Sequence, residues 1–105
     1  MSTILSDIKK IIGAEDFDDE FDIDILAYIN GEVSKLSQIT TLDDDVFPID
    51  EDTKWEKLSN NKKLLNLMRN YLSIKTRLEF DPPESSVVAS AYDKLASEYE
   101  WRIGL

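Results

Sequence analysis

The sequence predicts an all-α fold: a small single domain of about four helices, with a long acidic loop between the second and third. Apolar residues recur at helical spacing in four separate stretches. Two adjacent prolines, Pro82 and Pro83, divide the last two stretches and predict a rigid corner between them. With 105 residues, the chain is long enough for one modest hydrophobic core.

The first two helices are predicted from about Thr3 to Ile12 and from about Asp22 to Leu36. Ser2 or Thr3 is the expected N-cap of the first helix, and Gly13 is expected to end it. The acids ahead of the second helix suit the positive end of its dipole. The predicted apolar faces comprise Ile4, Leu5, Ile8, Ile11 and Ile12 in the first helix, and Ile25, Leu26, Ile29, Val33 and Leu36 in the second.

The long acidic loop is predicted from Ser37 to Thr53, where helical spacing lapses although apolar residues continue. A loop of about 17 residues is long for a compact domain, which favours a function for it. The motif "DTKWEKL" that follows predicts a short helical turn with Trp55 over the core.

The third and fourth helices are predicted from about Ser59 to Glu79 and from about Glu84 to Ile103. Proline disfavours a helical conformation in the residue before it, so Asp81 is expected to be non-helical, while Pro83 can be the first residue of the last helix. The expected faces are Leu64, Leu65, Met68, Tyr71, Leu72, the stem of Lys75 and Leu78 in the third helix, and Val88, Ala91, Tyr92, Leu95, Tyr99 and Arg102 in the fourth.

The composition narrows the range of functions. The chain has no cysteine and no histidine, so it lacks a thiol nucleophile, the commonest general base and the commonest metal ligand. We therefore expect no enzyme activity and no cofactor. The run "DFDDEFDID" does not fit a calcium loop, because the required glycine and glutamate are Phe21 and Ala27 when counted from Asp16. Counting from Asp18 fails in the same way.

Membrane and secretion signals are not evident in the sequence. No stretch approaches the roughly 20 apolar residues of a membrane span. The N-terminus "MSTILSDIKK" lacks the charged-then-apolar order of a signal peptide. We therefore expect a soluble cytoplasmic protein with no membrane partner.

Charge is unevenly distributed along the chain. The formal net charge of −10 disfavours ordinary nucleic-acid binding. Residues 15–24 hold seven acids and residues 43–52 hold six, whereas residues 54–77 hold seven cations against the single acid Glu56. The sequence thus predicts a dipolar molecule, with acidic loops and a basic third helix.

Four stretches together resemble a known protein family. They are "LSDIKKIIG", "FDIDILAYIN", "TKWEKL" and "YLSIKTRLEFDPPESSVVASAYDKLASEYEWRI", and their most specific parts are the "FDPP" corner and the "EWR" ending. They cover nearly the whole chain, which resembles the head-to-tail connector, or adaptor, proteins in the neck of tailed bacteriophages.

The resemblance implies a structural virion protein, assembled in the host cytoplasm, that forms a ring under the portal vertex and links the capsid to the tail. The implied ring is a dodecamer, as the portal is. The implied partners are the portal protein and neighbouring neck or tail proteins, and DNA is only cargo that passes through the channel. The resemblance implies no enzyme activity.

Candidate contact residues follow from this expected role. The end of the chain, residues 99–105, is a possible partner-docking tail, because its aromatic and apolar residues are typical of interface anchors. Trp101 and Ile103 could equally complete the core. A ring needs two complementary faces on each subunit. The predicted partner-binding residues are Trp101, Arg102, Ile103 and Leu105, and the predicted inter-subunit residues are Lys62 and Lys63 against Asp43, Asp44 and Asp45, with Phe47.

Two other functions remain open from the sequence. A small acidic protein could inhibit a host enzyme, or mimic nucleic acid, by filling a basic groove with carboxylates. The clustering of acids in loops opposite a basic helix weighs against mimicry. A regulatory or chaperone-like binding module is the third alternative.

Overall fold

The computed structural model describes residues 3–105; Met1 and Ser2 lie outside the described residues, as does the side chain of Asp44. The all-α prediction is confirmed, and the described residues form no β-strand beyond one isolated bridge between Thr3 and Lys54. The four helices are α1 (Ile4–Ile11), α2 (Asp22–Leu36), α3 (Lys62–Phe80) and α4 (Ser86–Ile103).

The ends of α1 and α2 follow local signals in the sequence. Thr3 is the N-cap of α1, and its Oγ1 accepts a hydrogen bond from the Ser6 amide. The alternative cap, Ser2, lies outside the described residues. Gly13 adopts a φ of +77°, a left-handed conformation that glycine tolerates best, and the chain leaves the helix there. The predicted bounds of α2 agree with the structure.

The core is centred on α3, which packs against each of the other three α-helices. Met68 and Leu72 of α3 are fully buried, as predicted. One face prediction for α1 is wrong: Ile11 is exposed, because α1 presents only a narrow strip to α2 and α3. The buried apolar residues contributed by α1 and α2 are Ile4, Leu5, Ile8, Ile25, Ile29, Val33 and Leu36.

The segment between α2 and α3 is more ordered than an open loop. It contains two short 3-10 helices, Asp44–Val46 and Trp55–Lys57. Val46 and Ile49 are buried in the core. Asn30 of α2 holds this segment through two hydrogen bonds to the Ile49 backbone, at 2.9 Å from its Nδ2 and 2.8 Å to its Oδ1. The predicted turn with a buried Trp55 is confirmed.

The corner after α3 differs from the prediction in one respect. Asp81 is non-helical, with φ −145° and ψ 72°, as predicted. Pro83, however, is not the first residue of α4. That helix begins at Ser86, because the Ser85 hydroxyl accepts a hydrogen bond from the Val88 amide and so caps it. Helix α3 likewise begins three residues later than predicted, because the Asn61 side chain caps it.

The face predicted for α4 is partly wrong. Its buried residues are Ala96 and Ile103, with Tyr92 and Tyr99 half-buried beside them. This seam packs mainly against α3. Since one neighbouring helix covers only a narrow seam, most of α4 faces solvent. The predicted core residues that are exposed instead are Val88, Ala91, Leu95 and Arg102.

Candidate functional site

The C-terminal end of α4 carries the largest exposed aromatic side chain. Trp101 is 67% exposed and Leu105 is 86% exposed, although both are large and apolar. Arg102 is exposed and paired with Glu98 at 2.5 Å. Ile103 points into the core. Three of the four predicted partner-binding residues are therefore on the surface, and Ile103 fixes the helix end that presents them.

Two open grooves flank this end of α4. One is about 510 Å³ and lies between Trp101 and Ile39. The other is about 590 Å³ and lies between the C-terminal end of α4 and the N-terminal end of α3. Leu105 borders both grooves. Concave apolar surfaces next to exposed anchors are typical of protein-binding sites.

The second groove has an apolar floor and a basic edge. Leu64, Leu67 and Ile103 line its floor, and Lys63 and Arg102 line its edge. We call it the α3–α4 groove. Lys62 is exposed next to it, and within residues 3–105 neither Lys62 nor Lys63 forms a salt bridge. Both predicted inter-subunit lysines therefore lie on the surface beside a concave site.

Not all the cations of α3 face solvent. The Arg69 guanidinium is paired with Asp7 of α1, and the Arg77 guanidinium lies 5.7 Å from the centre of the Tyr92 ring on α4. These two arginines hold neighbouring helices together. Lys75 is half-buried, so the exposed basic surface of α3 is concentrated at its N-terminal end, at Lys62 and Lys63.

The acids predicted to face these lysines lie on the segment between α2 and α3. Asp43 and Asp45 are exposed, and Asp45 is 4.0 Å from Lys57 in a surface ion pair. Phe47 is half-buried against the core and is joined to Pro48 by a cis peptide bond. The structure therefore brings Asp45 close to a different lysine of its own chain, and the predicted contact between subunits stays a prediction.

The other acidic segment, residues 15–24, forms a separate surface. Asp22 is paired with Lys9 at 2.7 Å, and the other six acids form no salt bridge within the described part of the chain. Phe17 and Ile23 are both exposed among these acids, Ile23 by 84%. We call residues 15–24 the acidic–apolar segment. In the sequence, this surface corresponds to the alternation of acids with Phe and Ile in "DFDDEFDID".

A buried carboxylate joins α2 to α3. Glu32 is buried, and its Oε1 accepts a hydrogen bond of 2.9 Å from the Tyr71 hydroxyl. Burial raises the pKa of the Glu32 carboxyl, but hydrogen bonds from Glu79 and Tyr71 outweigh burial and leave that pKa lowered. Partial desolvation and the interaction with Glu32 raise the pKa of Glu79 to about 7. Glu32 occupies a helical position of the apolar stripe, a signal that the face prediction overlooked.

Residues 3–105 contain neither a cluster of metal ligands nor a helix suited to span a membrane. Among residues 3–105, no group of three or more acidic side chains is arranged to hold a metal ion. In the same range, no helix combines the length and apolar character needed to cross a membrane. The described surface is thus notable for its exposed apolar anchors and its separated charges.

Comparison with known proteins identifies the family. The family model for phage connector proteins matches residues 4–105. The chain belongs to the phage connector protein family. No curated protein and no solved structure matches it.

Membership explains the character of this surface. A phage connector is a structural component of the virion, and the family is structural rather than enzymatic. A connector acts through contacts with other proteins, for which exposed anchors and unpaired surface charges are suitable. The exposed end of α4 is therefore the leading candidate for the functional site of this connector.

Proposed function

We propose that this connector forms a ring under the portal vertex and links the capsid to the tail, with the end of α4 docked on the portal or on the next neck protein. The observation that carries the proposal is the exposure of Trp101 and Leu105 beside two open grooves in a member of the phage connector family. A stable helix end that exposes such residues favours a protein partner.

The fold supports a rigid presentation of this site. Buried Ile103 fixes the last turn of α4, and Gly104 donates a backbone hydrogen bond of 3.1 Å to Glu100. The corner at Pro82 and Pro83 restricts the angle at which α4 leaves α3. A rigid site loses less conformational entropy on docking than a flexible one.

We further propose a dodecameric ring that encloses the DNA channel, so that DNA is cargo and not a ligand. The formal charge of −10 supports the role of DNA as cargo, since a surface that binds phosphates must be basic. The predicted contact of Lys62 and Lys63 with Asp43, Asp44, Asp45 and Phe47 of a neighbouring subunit is one candidate for the subunit interface of this ring. Membership of the phage connector family favours a role in such a ring over a role as an inhibitor or nucleic-acid mimic.

A pull-down with the portal protein from the same phage genome tests the docking site. Trp101→Ala combined with Leu105→Ala should weaken portal binding at least tenfold, because both side chains lie on the surface. Val87→Ala is the matched control, since Val87 is equally exposed at the opposite end of α4 and should bind normally. Unchanged binding by the double variant would refute docking of this site on the portal.

Deletion of residues 101–105 is a poorer test. It also removes the buried side chain of Ile103, so lost binding could reflect a damaged core. The two point substitutions leave Ile103 in place. Circular dichroism should show the same helical content in both variants and in the wild type.

A further inference from the structure

The α3–α4 groove combines apolar and basic side chains, which indicates the kind of ligand that it can bind. Its floor is formed by Leu64, Leu67 and Ile103, and Lys63 and Arg102 lie at its edge. Glu98 partly neutralises Arg102, so the unpaired positive charge comes from Lys63 and neighbouring Lys62. A groove with an apolar floor and a basic edge suits an acidic segment that carries exposed apolar side chains.

The acidic–apolar segment at the other end of the same molecule has this complementary character. Phe17 and Ile23 are exposed among six acids that lack a salt bridge in the described structure. Phe17 is also fixed in place: its ring packs edge-on against Phe21 with centroids 5.2 Å apart, and Phe21 packs against Phe80 at 5.5 Å. The segment is thus attached to the C-terminal end of α3.

The two surfaces are too far apart to meet within one chain. Lys62 and Phe80 are the first and last residues of α3, and 18 helical steps separate them by about 27 Å. The groove lies at the first end and the acidic–apolar segment at the second. The complementary surfaces can therefore meet only between two copies, and copies that associate head to tail through such a contact can close into a ring.

We infer that the acidic–apolar segment of one subunit occupies the α3–α4 groove of the next, with Ile23, the more exposed of its two apolar side chains, on the apolar floor and the acids facing Lys62 and Lys63. The inference rests on the proposed ring and names its contact. It replaces Asp43, Asp44 and Asp45 as the acids that face these lysines. Asp45 already lies beside Lys57 of its own chain.

Charge reversal and restoration test the contact in the full chain. One variant carries Lys62→Glu and Lys63→Glu, and another carries Asp16→Lys, Asp19→Lys and Glu20→Lys. None of these five residues forms a salt bridge within the described structure, so both variants should fold. Each should self-associate at least tenfold more weakly than wild type in sedimentation equilibrium. A chain with all five reversals should regain association.

Disulfide trapping detects the contact even when association is weak. The natural chain has no cysteine, so Ile23→Cys with Leu67→Cys adds the only two thiols. Oxidation should give a ladder of linked chains in a denaturing gel. Asp43→Cys with Leu67→Cys is the matched pair for the competing contact and should stay monomeric. Linked chains from the Asp43 pair, or none from the Ile23 pair, would overturn the inference.

The outcome is separate from that of the portal experiment. A connector that links through Ile23 and Leu67 but still binds portal after substitution of Trp101 and Leu105 would keep the subunit contact and refute docking of the α4 end on the portal. The reverse result would refute the subunit contact alone. If reversal of Asp43, Asp44 and Asp45 restores the Lys62→Glu, Lys63→Glu variant, the groove has a different occupant from the one inferred.

Discussion

Replacement of Asp7 by asparagine tests how three parts of the fold are held together. The Asp7 carboxylate accepts hydrogen bonds from Arg69 Nε at 2.6 Å and Nη2 at 3.2 Å, and from Trp55 Nε1 at 3.1 Å. Asp7 lies on α1, Arg69 on α3 and Trp55 in the short 3-10 helix between α2 and α3. Asparagine has a similar volume but is neutral, and its amide NH₂ accepts no hydrogen bond.

The expected loss follows from the exposure of each partner. The Arg69 side chain is 42% exposed, so water can replace part of what it loses, and this pair contributes about 1 kcal/mol. Trp55 is buried, and weakening the hydrogen bond of its indole N–H costs about 1 kcal/mol more. Asp7→Asn should therefore lower the free energy of unfolding by about 2 kcal/mol and Tm by about 10 °C.

Urea unfolding at several pH values measures this effect. The hydrogen bond from Arg69 is the largest cause of the lowered pKa of Asp7, below its usual 3.8. The carboxylate thus stabilises the fold above pH 3.8, and this contribution is lost as the pH falls through the lower folded-state pKa. The difference in the free energy of unfolding between the wild type and Asp7→Asn should therefore shrink as the pH falls below 3.8.

A double-mutant cycle with Arg69→Gln isolates the ion pair. The coupling energy should be about 1 kcal/mol at neutral pH. A loss below about 0.5 kcal/mol in Asp7→Asn, or a coupling energy near zero, would refute the reasoning.

Three further predictions concern a pH dependence, the corner and the orientation of α4. The wild type should lose about 1 kcal/mol of stability as the pH rises, after allowance for solvent screening, because the folded state keeps a proton on Glu79 that the unfolded state releases. Glu79→Gln should remove this loss. The loss should run from pH 4.5 up to about 7, the raised pKa of Glu79. Urea unfolding from pH 4 to 8 measures it, and the same loss in Glu79→Gln would show that Glu79 is not its cause. Pro82→Gly with Pro83→Gly should leave the helical content intact, yet particles should package DNA and then fail to retain it or to join tails; normal infectious yield would reduce the corner to a helix stop. Leu72→Ala should cost about 2–5 kcal/mol, whereas Leu95→Ala should cost less than about 0.5 kcal/mol; equal losses in thermal unfolding would contradict the orientation of α4.

Neighbouring residues in the sequence determined where most of the helices begin and end. Helix α1 begins at the side-chain cap of Thr3 and ends at the left-handed Gly13, and both signals depend only on neighbouring residues. The non-helical backbone of Asp81 likewise follows directly from the proline after it. The family resemblance rests on the order of these local motifs, so it too was available from the sequence.

The tertiary structure decided which face of each helix is buried. Periodicity shows that α4 is amphipathic, but Val88 and Leu95 fit a helical stripe as well as Tyr92 and Tyr99 do. The choice depends on the direction from which α3 approaches, and that seam runs through Ala96 and Ile103. A small residue such as Ala96 permits close helix packing, yet contributes little to a hydrophobic pattern.

Long-range pairing was equally beyond the sequence. Asp7 and Arg69 are 62 positions apart, and Glu32 and Tyr71 are 39 apart. Polar side chains this distant in the sequence are indistinguishable from ordinary surface residues until the chain is folded. The sequence by itself thus determined the helices, their ends and the family, because these depend on neighbouring residues. Only the tertiary structure placed the α3–α4 groove and the acidic–apolar segment at opposite ends of α3, because their positions depend on how the helices pack.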